Sequence, residues 1–313
     1  MSKLRNINLE LLFSLLIVIA IGCKKKSKDQ SQEPCVGGCS SADFNLIDYQ
    51  ASWSPDGKYI AYFHIDEAAN KSGIYLITPD GKENKLWHTG LSSETPSWSP
   101  DGQWITFSQG AQIWKKKLDG DSLTQITNVG RNFSPSWSPN GKWISNHRSY
   151  SYPEPESVQG IWVMNIHGDD KEQIFAGNSG YPTWNYLNDI IFVRGVTTST
   201  GEVIGDSLKS FMFINKRIIN LFFIAGDNSF AKYSKNNKIS FTSQPVKGLP
   251  QIWVMDADGK NKKQVTQTGG YSSDWSLDGN KIVFTDSRAT NGRLWIMNAD
   301  GSNKQQLTFK ENF

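Results

Sequence analysis

The sequence predicts an all-β protein, a six-bladed β-propeller of four-stranded antiparallel blades. One observation is a recurring stretch, Trp-Ser-Pro-Asp-Gly, at residues 53–57 and 98–102, with close variants at 137–141 and 275–279. A repeat of roughly 20–50 residues is typical of solenoids, propellers and arrays. The second observation is composition, because 12 Trp, 16 Phe and 27 Gly favour β-strands joined by many turns.

The recurring stretch has the residues of a tight β-turn in their preferred order. Ser suits the first position, Pro presets φ at the second, and Asp and Gly complete the turn. Apolar residues flank each copy, so each predicts a hairpin with a Trp at the end of its incoming strand. A calcium loop of the EF-hand type would need acidic residues at alternating positions and a late Glu, which no copy has.

Each copy is followed by the same order of elements. An apolar second strand comes first, and a third strand then begins with an aliphatic and an aromatic residue. A second turn with Asp-Gly and a short fourth strand ending near Thr complete the unit. Four short strands with hairpin connections form one propeller blade. Two degenerate units complete the set, so the six blades begin near Trp53, Trp98, Trp137, Trp184, Tyr233 and Trp275. We expect the Trp side chains to fill the gaps between blades, where aromatic residues bury large areas.

The amino-terminal residues predict secretion. Lys3 and Arg5 precede an apolar run over 11–22, followed by Cys23, as in a signal peptide. The run is shorter than the roughly 20 residues that cross a bilayer. Residues 20–23, Ala-Ile-Gly-Cys, resemble a bacterial lipobox, which implies cleavage before Cys23 and lipid attached to it. We therefore expect a signal peptide at 1–22, a lipidated flexible tether at 23–42 and the propeller at 43–313. An ordinary signal peptide or a marginal membrane anchor are the alternatives.

The tether contains further clues to location. Four lysines within residues 24–28 would be attracted to anionic lipid headgroups. In enteric bacteria an Asp directly after the lipidated Cys retains lipoproteins at the inner membrane. Here that residue is Lys24, so the resemblance implies the outer membrane, facing the periplasm. Cys35 and Cys39 permit a local disulfide in an oxidising compartment, whereas a metal site would need further ligands nearby.

The repeats resemble the TolB-type, WD40-like β-propeller family. The shared pattern is the Trp-Ser-Pro-Asp-Gly turn, an apolar strand, Ile-Tyr/Trp-Val-Met-Asp, Asp-Gly and then Leu-Thr, and it extends over about residues 49–309. TolB itself carries a separate amino-terminal α/β domain, whereas a short tether precedes the repeats here. The resemblance therefore implies the propeller without that domain, and the family's partner contacts do not transfer residue by residue.

The longer, variable loops are expected on the face opposite the tight turns, and loops on a rigid scaffold often carry binding residues. The longest are predicted at 67–73, 147–160 and 194–209. Tyr and Arg are favoured at interface hot spots. The candidate binding residues, expected around one mouth of the central channel, are His64, His147, Arg148, Tyr150, Tyr152, Arg194, Asp286 and Arg288. The alternative is a solvated rim that binds nothing.

The functional prediction is a non-catalytic protein-interaction module of the cell envelope, monomeric and without metal or cofactor. The formal net charge of +3 is too small to indicate a nucleic-acid-binding protein. Gly-Asp-Ser-Leu occurs at 120–123 and 205–208, as in a family of esterases, but the Asp-x-x-His of those enzymes is missing. The alternative function is a carbohydrate-active propeller that binds or cleaves an oligosaccharide, with His64 and His147 as candidate groups.

One blade departs from the pattern. Residues 211–225 are mostly apolar and lack the second Asp-Gly turn. They predict either two buried strands joined at residues 215–217 or an exposed apolar edge for a partner.

Overall fold

The computed structural model describes residues 46–66, 69–90, 94–197, 203–225, 227–245, 248–286 and 292–309. These residues form six four-stranded antiparallel sheets in which consecutive strands are neighbours. The predicted six-bladed propeller is therefore confirmed. The expectations for Cys23, Cys35, Cys39 and Arg288 fall on residues outside the described ranges.

The blades follow one another along the chain, four strands at a time. The strands are β1 (Leu46–Trp53), β2 (Ile60–Asp66), β3 (Gly73–Ile77), β4 (Asn84–Thr89), β5 (Glu94–Trp98), β6 (Trp104–Gln109), β7 (Gln112–Lys117), β8 (Leu123–Gln125), β9 (Arg131–Trp137), β10 (Trp143–Ser149), β11 (Gly160–Asn165), β12 (Glu172–Ala176), β13 (Ser179–Trp184), β14 (Ile190–Thr197), β15 (Val203–Met212), β16 (Arg217–Ala225), β17 (Asp227–Tyr233), β18 (Lys238–Gln244), β19 (Gln251–Asp256), β20 (Lys263–Gln264), β21 (Tyr271–Trp275), β22 (Lys281–Asp286), β23 (Arg293–Asn298) and β24 (Gln305–Gln306). A 3-10 helix, Glu156–Val158, lies between β10 and β11. Within the described ranges, no helix has the length and apolar character needed to cross a membrane.

The first strand of every blade lines the central channel and carries the same irregularity. In each of these strands the pairing with the second strand shifts, as between Tyr49 and Ser52 in blade 1. A residue with positive φ lies at each shift, three positions before the Trp or Tyr that ends the strand: Gln50, Thr95, Ser134, Tyr181, Phe230 and Ser272. Such bulges bend a strand and increase its twist, so the six first strands curve alike around the axis.

The Trp that ends a first strand packs between two blades, as predicted. Trp98, at 7% exposure, belongs to an apolar cluster with residues of blade 1, and its indole Nε1 donates to the Ser52 carbonyl of that blade at 3.0 Å. Trp184 and Trp275 make the corresponding bond to the preceding blade, at 3.0 and 3.1 Å. In blade 5 the residue is Tyr233, which hydrogen-bonds Asn185 of blade 4, and burial raises its pKa to about 12.

The tight turns also join neighbouring blades. In the first turn, Ser54 Oγ donates to Asp56 at 2.7 Å and accepts from the Tyr59 N–H at 2.9 Å, which closes the hairpin. Gly102 has a φ of +70°, and a Cβ there would lie 3.4 Å from Pro55 of the preceding turn. The positive φ therefore favours glycine at this position of the repeated stretch, while a Cβ there would only be in van der Waals contact with the proline.

Blade 4 differs from its predicted outline. The sequence predicts a long loop over 194–209, whereas β14 continues to Thr197 and β15 begins at Val203. Residues of this stretch pair between the two strands, as Gly195 does with Asp206. The polar, glycine-containing composition of the stretch predicts a loop, although its residues form two paired strands. The second Gly-Asp-Ser-Leu therefore lies within β15. The apolar stretch turns at 213–216, and β16 forms the outer edge of the blade.

The inter-blade indole bonds make a matched comparison possible. Trp98→Phe removes the hydrogen bond to Ser52, whereas Nε1 of Trp137, at a similar burial, has no partner among the described residues. Both changes reduce packing, but only the first loses a bond. We expect Trp98→Phe to lower the free energy of unfolding by about 1 kcal/mol more than Trp137→Phe. Urea unfolding followed by circular dichroism measures the difference, and equal losses would contradict the role of the bond.

Candidate functional site

The candidate residues lie on the mouth face, which we define as the face carrying the connections between second and third strands. His64, Arg148 and Asp286 pair with the first residues of their third strands, Gly73, Gly160 and Arg293. These three residues occupy the same position in the repeat. Arg194 occupies that position in blade 4, as its first-strand partner shows. That partner, Ser179, has the same place in its strand as the first-strand partners of His64 and Arg148.

His147 does not share that position. It pairs with Ile161, one residue along from Arg148 and Gly160, so the alternation of a strand turns its side chain to the other side of the sheet. It is 3% exposed, and its ring centroid lies 6.5 Å from that of Phe133. His64 and His147 therefore occupy different places in the repeat, and Arg148 is the counterpart of His64.

His64 lies in a buried cluster between blades 1 and 6. Its Nδ1 is 2.6 Å from Asp48 Oδ1, and both side chains are fully buried. The other oxygen of Asp48 accepts from Arg293 at 3.2 Å and from the hydroxyl of Thr308 at 2.5 Å. Because these partners come from the first and last blades, the cluster holds the ring closed.

Between blades 2 and 3, the positions equivalent to Asp48 and Arg293 carry neutral side chains. Gln112 takes the place of Arg293, and its Oε1 accepts from Thr127 at 2.7 Å and from Asn132 at 3.3 Å. Asn132 takes the place of Asp48, since each pairs with the shared second-strand position. The contact between blades 6 and 1 thus uses charged side chains at positions where the contact between blades 2 and 3, which follow one another in the chain, uses amide side chains.

Arg148 braces the long loop of blade 3, residues 150–159. Its guanidinium forms an ion pair with Glu154 and lies 5.3 Å from the ring centroid of Trp162. A side chain at Gly130 would collide with that guanidinium. At the other end of the loop, the Trp162 indole donates to the Val158 carbonyl at 2.8 Å. The loop is therefore fixed at both ends before any partner arrives.

The braced loop presents one aromatic side chain to solvent. Tyr152 is 86% exposed, the highest value among the large apolar and aromatic residues apart from Ile214, whereas Tyr150 is half-buried. An exposed tyrosine on a rigid support is a favourable anchor for a protein partner, because it buries a large area at low entropy cost.

The remaining candidates are dispersed. Asp286 is buried at 6% exposure. Arg194 is exposed, and its guanidinium carbon lies 5.9 Å from the ring centroid of Phe175 in blade 3. Burial and the charge of Arg194 lower the pKa of Lys209 on the adjacent strand. The predicted ring of binding residues thus divides into a buried group that supports the fold and two exposed residues, Tyr152 and Arg194.

The central channel is narrow. It encloses a cavity of about 40 Å³, lined by the bulges of the first strands. The rings of Tyr181 and Phe230 are 4.2 Å apart and constrict it. The volume accommodates one or a few water molecules, since a water occupies roughly 30 Å³ in the liquid.

An unusual carboxylate lies beside the channel. Asp274 of blade 6 is half-buried, and its Oδ2 accepts from the Trp53 N–H of blade 1 at 2.8 Å. Burial raises its pKa, while Lys232 and the backbone N–H groups oppose that shift. In the ranges that the structure describes, no group of three or more His, Cys, Asp or Glu side chains is placed to hold a metal ion.

The match to known families agrees with this architecture. Residues 42–188 match the family described as the TolB beta propeller domain. This match spans slightly less than half of the chain. An uncharacterized protein of Agrobacterium fabrum strain C58 is 34% identical over 88 residues, which are 26% of this chain and 29% of that relative. This match thus spans less than a third of the relative's length.

Solved structures show the same fold. A putative TolB from Agrobacterium tumefaciens superposes with a TM-score of 0.61 at 21% identity, over 72% of this chain and 84% of that one. TolB from Acinetobacter baumannii gives 0.63 at 20% identity, over 84% and 63%. An oligogalacturonate lyase in complex with manganese gives 0.56 at 10% identity, over 81% and 77%. At these identities the likeness is one of fold.

Sequence reasoning missed the residues that support the propeller's mouth face. Asp48, Glu154 and Trp162 were absent from the candidates, although they hold His64 and Arg148 in place. Comparison of the repeats could have identified Asp48, because it is a carboxylate at a position where blade 3 has Asn132 and blade 4 has Ser179.

The brace of the blade 3 loop can be tested by removing one charge. Glu154→Gln leaves the half-buried Arg148 without its counter-ion, so local opening of the loop becomes easier. We expect amide exchange over residues 151–159 to accelerate by about tenfold. Glu172→Gln is the control, because its partner Lys216 is exposed and surface pairs contribute little. Equal effects of the two variants, measured by hydrogen-exchange mass spectrometry, would contradict the brace.

Asp274 predicts a pH dependence of stability. Its folded pKa is raised above the ordinary 3.8, so its contribution to stability is fully present below that value and is lost as pH rises through the folded pKa. Asp274→Asn keeps an acceptor for Trp53 without the charge. We therefore expect the variant's melting temperature, relative to wild type, to increase between pH 4 and pH 7.

The control residue is Asp278, whose pKa is shifted in the opposite direction. A hydrogen bond from Ser276 lowers the pKa of the exposed Asp278, so the stability that its charge contributes is present above the ordinary 3.8 and is lost as pH falls through the lowered folded pKa. Asp278→Asn should therefore be less stable than wild type at every pH from 4 to 7, and the difference should shrink only as pH falls below 3.8. Scanning calorimetry at several pH values measures both variants. A fall in the relative stability of Asp274→Asn with rising pH would show that Lys232 outweighs burial.

Proposed function

We propose that the chain is a lipid-anchored protein of the cell envelope whose propeller is a non-catalytic protein-interaction module. The observation that carries the proposal is the blade 3 loop, which the Arg148–Glu154 pair holds in one conformation while Tyr152 stands 86% exposed. A surface ordered before binding loses little entropy when a partner docks. Arg194 on the neighbouring blade adds an exposed guanidinium to the same face.

The location in the envelope rests on the amino-terminal sequence. The lipobox-like residues before Cys23, and the lysines that follow it, support an acyl anchor with a basic patch beside it. An acyl anchor and a basic patch together bind a membrane more stably than a single acyl chain. In this proposal residues 23–42 tether a monomeric propeller to the outer membrane on its periplasmic side, and Cys35 pairs with Cys39.

The geometry of the histidines supports a non-catalytic role. A general acid or base must come within hydrogen-bond reach of its substrate. His64 is fully buried against Asp48, and His147 is 3% exposed. The carbohydrate-active alternative rests on the fold of the oligogalacturonate lyase at 10% identity and on those two residues. Their burial and the small channel cavity favour the interaction module.

The test compares two tyrosines on opposite faces. Tyr152→Ala removes the anchor on the mouth face, and Tyr186→Ala removes a 53% exposed tyrosine from the tight turn between β13 and β14. The assay is affinity capture from envelope extracts with quantitative mass spectrometry. We expect Tyr152→Ala to lower recovery of the specific partner at least about fivefold, since a hot-spot residue contributes more than about 1 kcal/mol.

The control and the alternative complete the experiment. Tyr186→Ala should retain the partner, and equal capture by both variants would overturn the proposed surface. A glycan array probed with the same proteins tests the alternative function. Binding of an oligosaccharide that is insensitive to Tyr152→Ala would favour a carbohydrate-active propeller.

A further inference from the structure

The third strand of blade 2 breaks the internal repeat. Residues 113–117 read Ile-Trp-Lys-Lys-Lys, where three other blades have an aliphatic residue, Trp, an aliphatic residue and Met. Lys116 occupies the place of Met164, Met255 and Met297, each 1% exposed. A lysine is a costly substitute at such a position, because partial burial disfavours its charge. The propeller fold does not require a lysine at this position, since three other blades have a methionine there.

The lysines lie against aromatic rings and carbonyl groups. Lys116 Nζ donates to the Trp87 carbonyl at 3.0 Å and lies 4.8 Å from that ring's centroid. Lys115 Nζ donates to the Ile166 carbonyl at 2.6 Å, and both Lys115 and Lys117 lie over Trp104, at 5.1 and 5.6 Å. Burial lowers the pKa of Lys115 and of Lys116. Lys116 and Lys117 are half-buried, so their ammonium groups retain further N–H donors for an anion.

These charges lack the counter-ions that other lysines have. Lys216, Lys238 and Lys260 pair with Glu172, Asp256 and Asp258. Among the described residues, no carboxylate lies within ion-pair distance of Lys115, Lys116, Lys117 or Lys85. Lys85 of blade 1 lies over the Tyr59 ring at 5.2 Å. The result is a cluster of positive charge that this part of the chain leaves unneutralised.

Two exposed leucines lie on the outer strands of the same two blades. Leu123 pairs with Lys116, whereas Leu86 pairs with Tyr75 and so lies on the opposite face of blade 1 from Lys85. Leu86 on β4 is 42% exposed, and Leu123 on β8 is 49% exposed. Both strands are the outermost of their blades, so both leucines lie on the circumference of the ring. The Trp87 indole donates to the Leu118 carbonyl at 3.0 Å and joins the two blades there. The lysine–tryptophan surface consists of Lys85, Leu86, Trp87, Trp104, Lys116, Lys117 and Leu123, whereas Lys115 is buried at 7% exposure.

We propose that the lysine–tryptophan surface docks the propeller onto a membrane that contains anionic phospholipids. Lysines near such a membrane are attracted to its headgroups, Trp is favoured at headgroup level, and leucines on an interfacial surface enter the acyl boundary. A soluble polyanion would use the lysines but leave the leucines in water. The inference goes beyond the interaction module and does not depend on lipid at Cys23. It fixes the side of the ring that faces the membrane.

The experiment uses the full chain with Cys23→Ser in every variant, so that no acyl group contributes. Partition is measured by co-sedimentation with vesicles of phosphatidylcholine alone or mixed in equal parts with phosphatidylglycerol. For Lys85→Gln/Lys116→Gln/Lys117→Gln we expect partition onto the anionic vesicles to fall at least about tenfold, since each lysine near an anionic surface contributes roughly fivefold. Residues 1–22 are the same in all variants, so differences report the surface.

The matched control removes the same number of charges elsewhere. Lys216→Gln/Lys238→Gln/Lys260→Gln changes lysines of blades 4 and 5 that are already ion-paired, and it should change partition less than about twofold. If both triple variants bind the anionic vesicles as well as the parent chain does, the docking proposal is overturned. Melting curves by circular dichroism establish that each variant is folded.

A second variant separates a membrane from a soluble polyanion. Leu86→Ser/Leu123→Ser keeps every charge and should lower partition onto the anionic vesicles several-fold, because insertion of each leucine is lost. Full binding by this variant, with loss in the lysine variant, would overturn membrane docking and indicate a site for soluble anions. Since both leucines are exposed, the change should leave the fold intact.

Discussion

The closure of the ring between blades 6 and 1 is the constraint on which this propeller depends. Every blade is built from four consecutive strands, so no strand crosses from the last blade to the first. The closing contact must therefore come from packing and side chains. Asp48 accepts from Arg293 and Thr308, its own N–H donates to the Gly292 carbonyl at 2.9 Å, and Asp274 receives the Trp53 N–H. Apolar residues of both blades form one cluster around these bonds.

The ionic character of this seam gives it specificity. Where the chain continues from blade 2 to blade 3, the same positions carry Gln112 and Asn132, and covalent continuity already determines which blades are neighbours. A wrong pairing of blades would place Asp48 or Arg293 against an amide and leave a buried charge without its counter-ion, which is strongly unfavourable. The charged pair thus distinguishes the correct closing contact from the alternatives that six similar blades offer.

The repeats predict the blades because their chemistry is local. A Ser-Pro-Asp-Gly turn forms its hydrogen bonds within a few residues, and a Trp before it predicts the inter-blade packing that Trp98 shows. The candidate site was less predictable, because its contacts are distant in sequence. The burial of His64 depends on Arg293, and the register of His147 depends on pairing with β11. In blade 4, Gly and Asp in β15 gave a loop-like composition to a paired strand.

Departures from the repeat then have two physical meanings. At Asp48, Arg293 and Asp274 the departure is explained by closure, since each side chain bonds across the seam that no strand bridges. Lys116 and the loop bearing Tyr152 are not needed for closure, because blades 5 and 6 have a Met at the equivalent third-strand place and fewer residues between their second and third strands. A substitution that costs stability and serves no seam is expected where a protein binds something. The two departures lie on different sides of the propeller, one on the mouth face and one on the circumference, so a membrane and a protein partner could be bound at the same time.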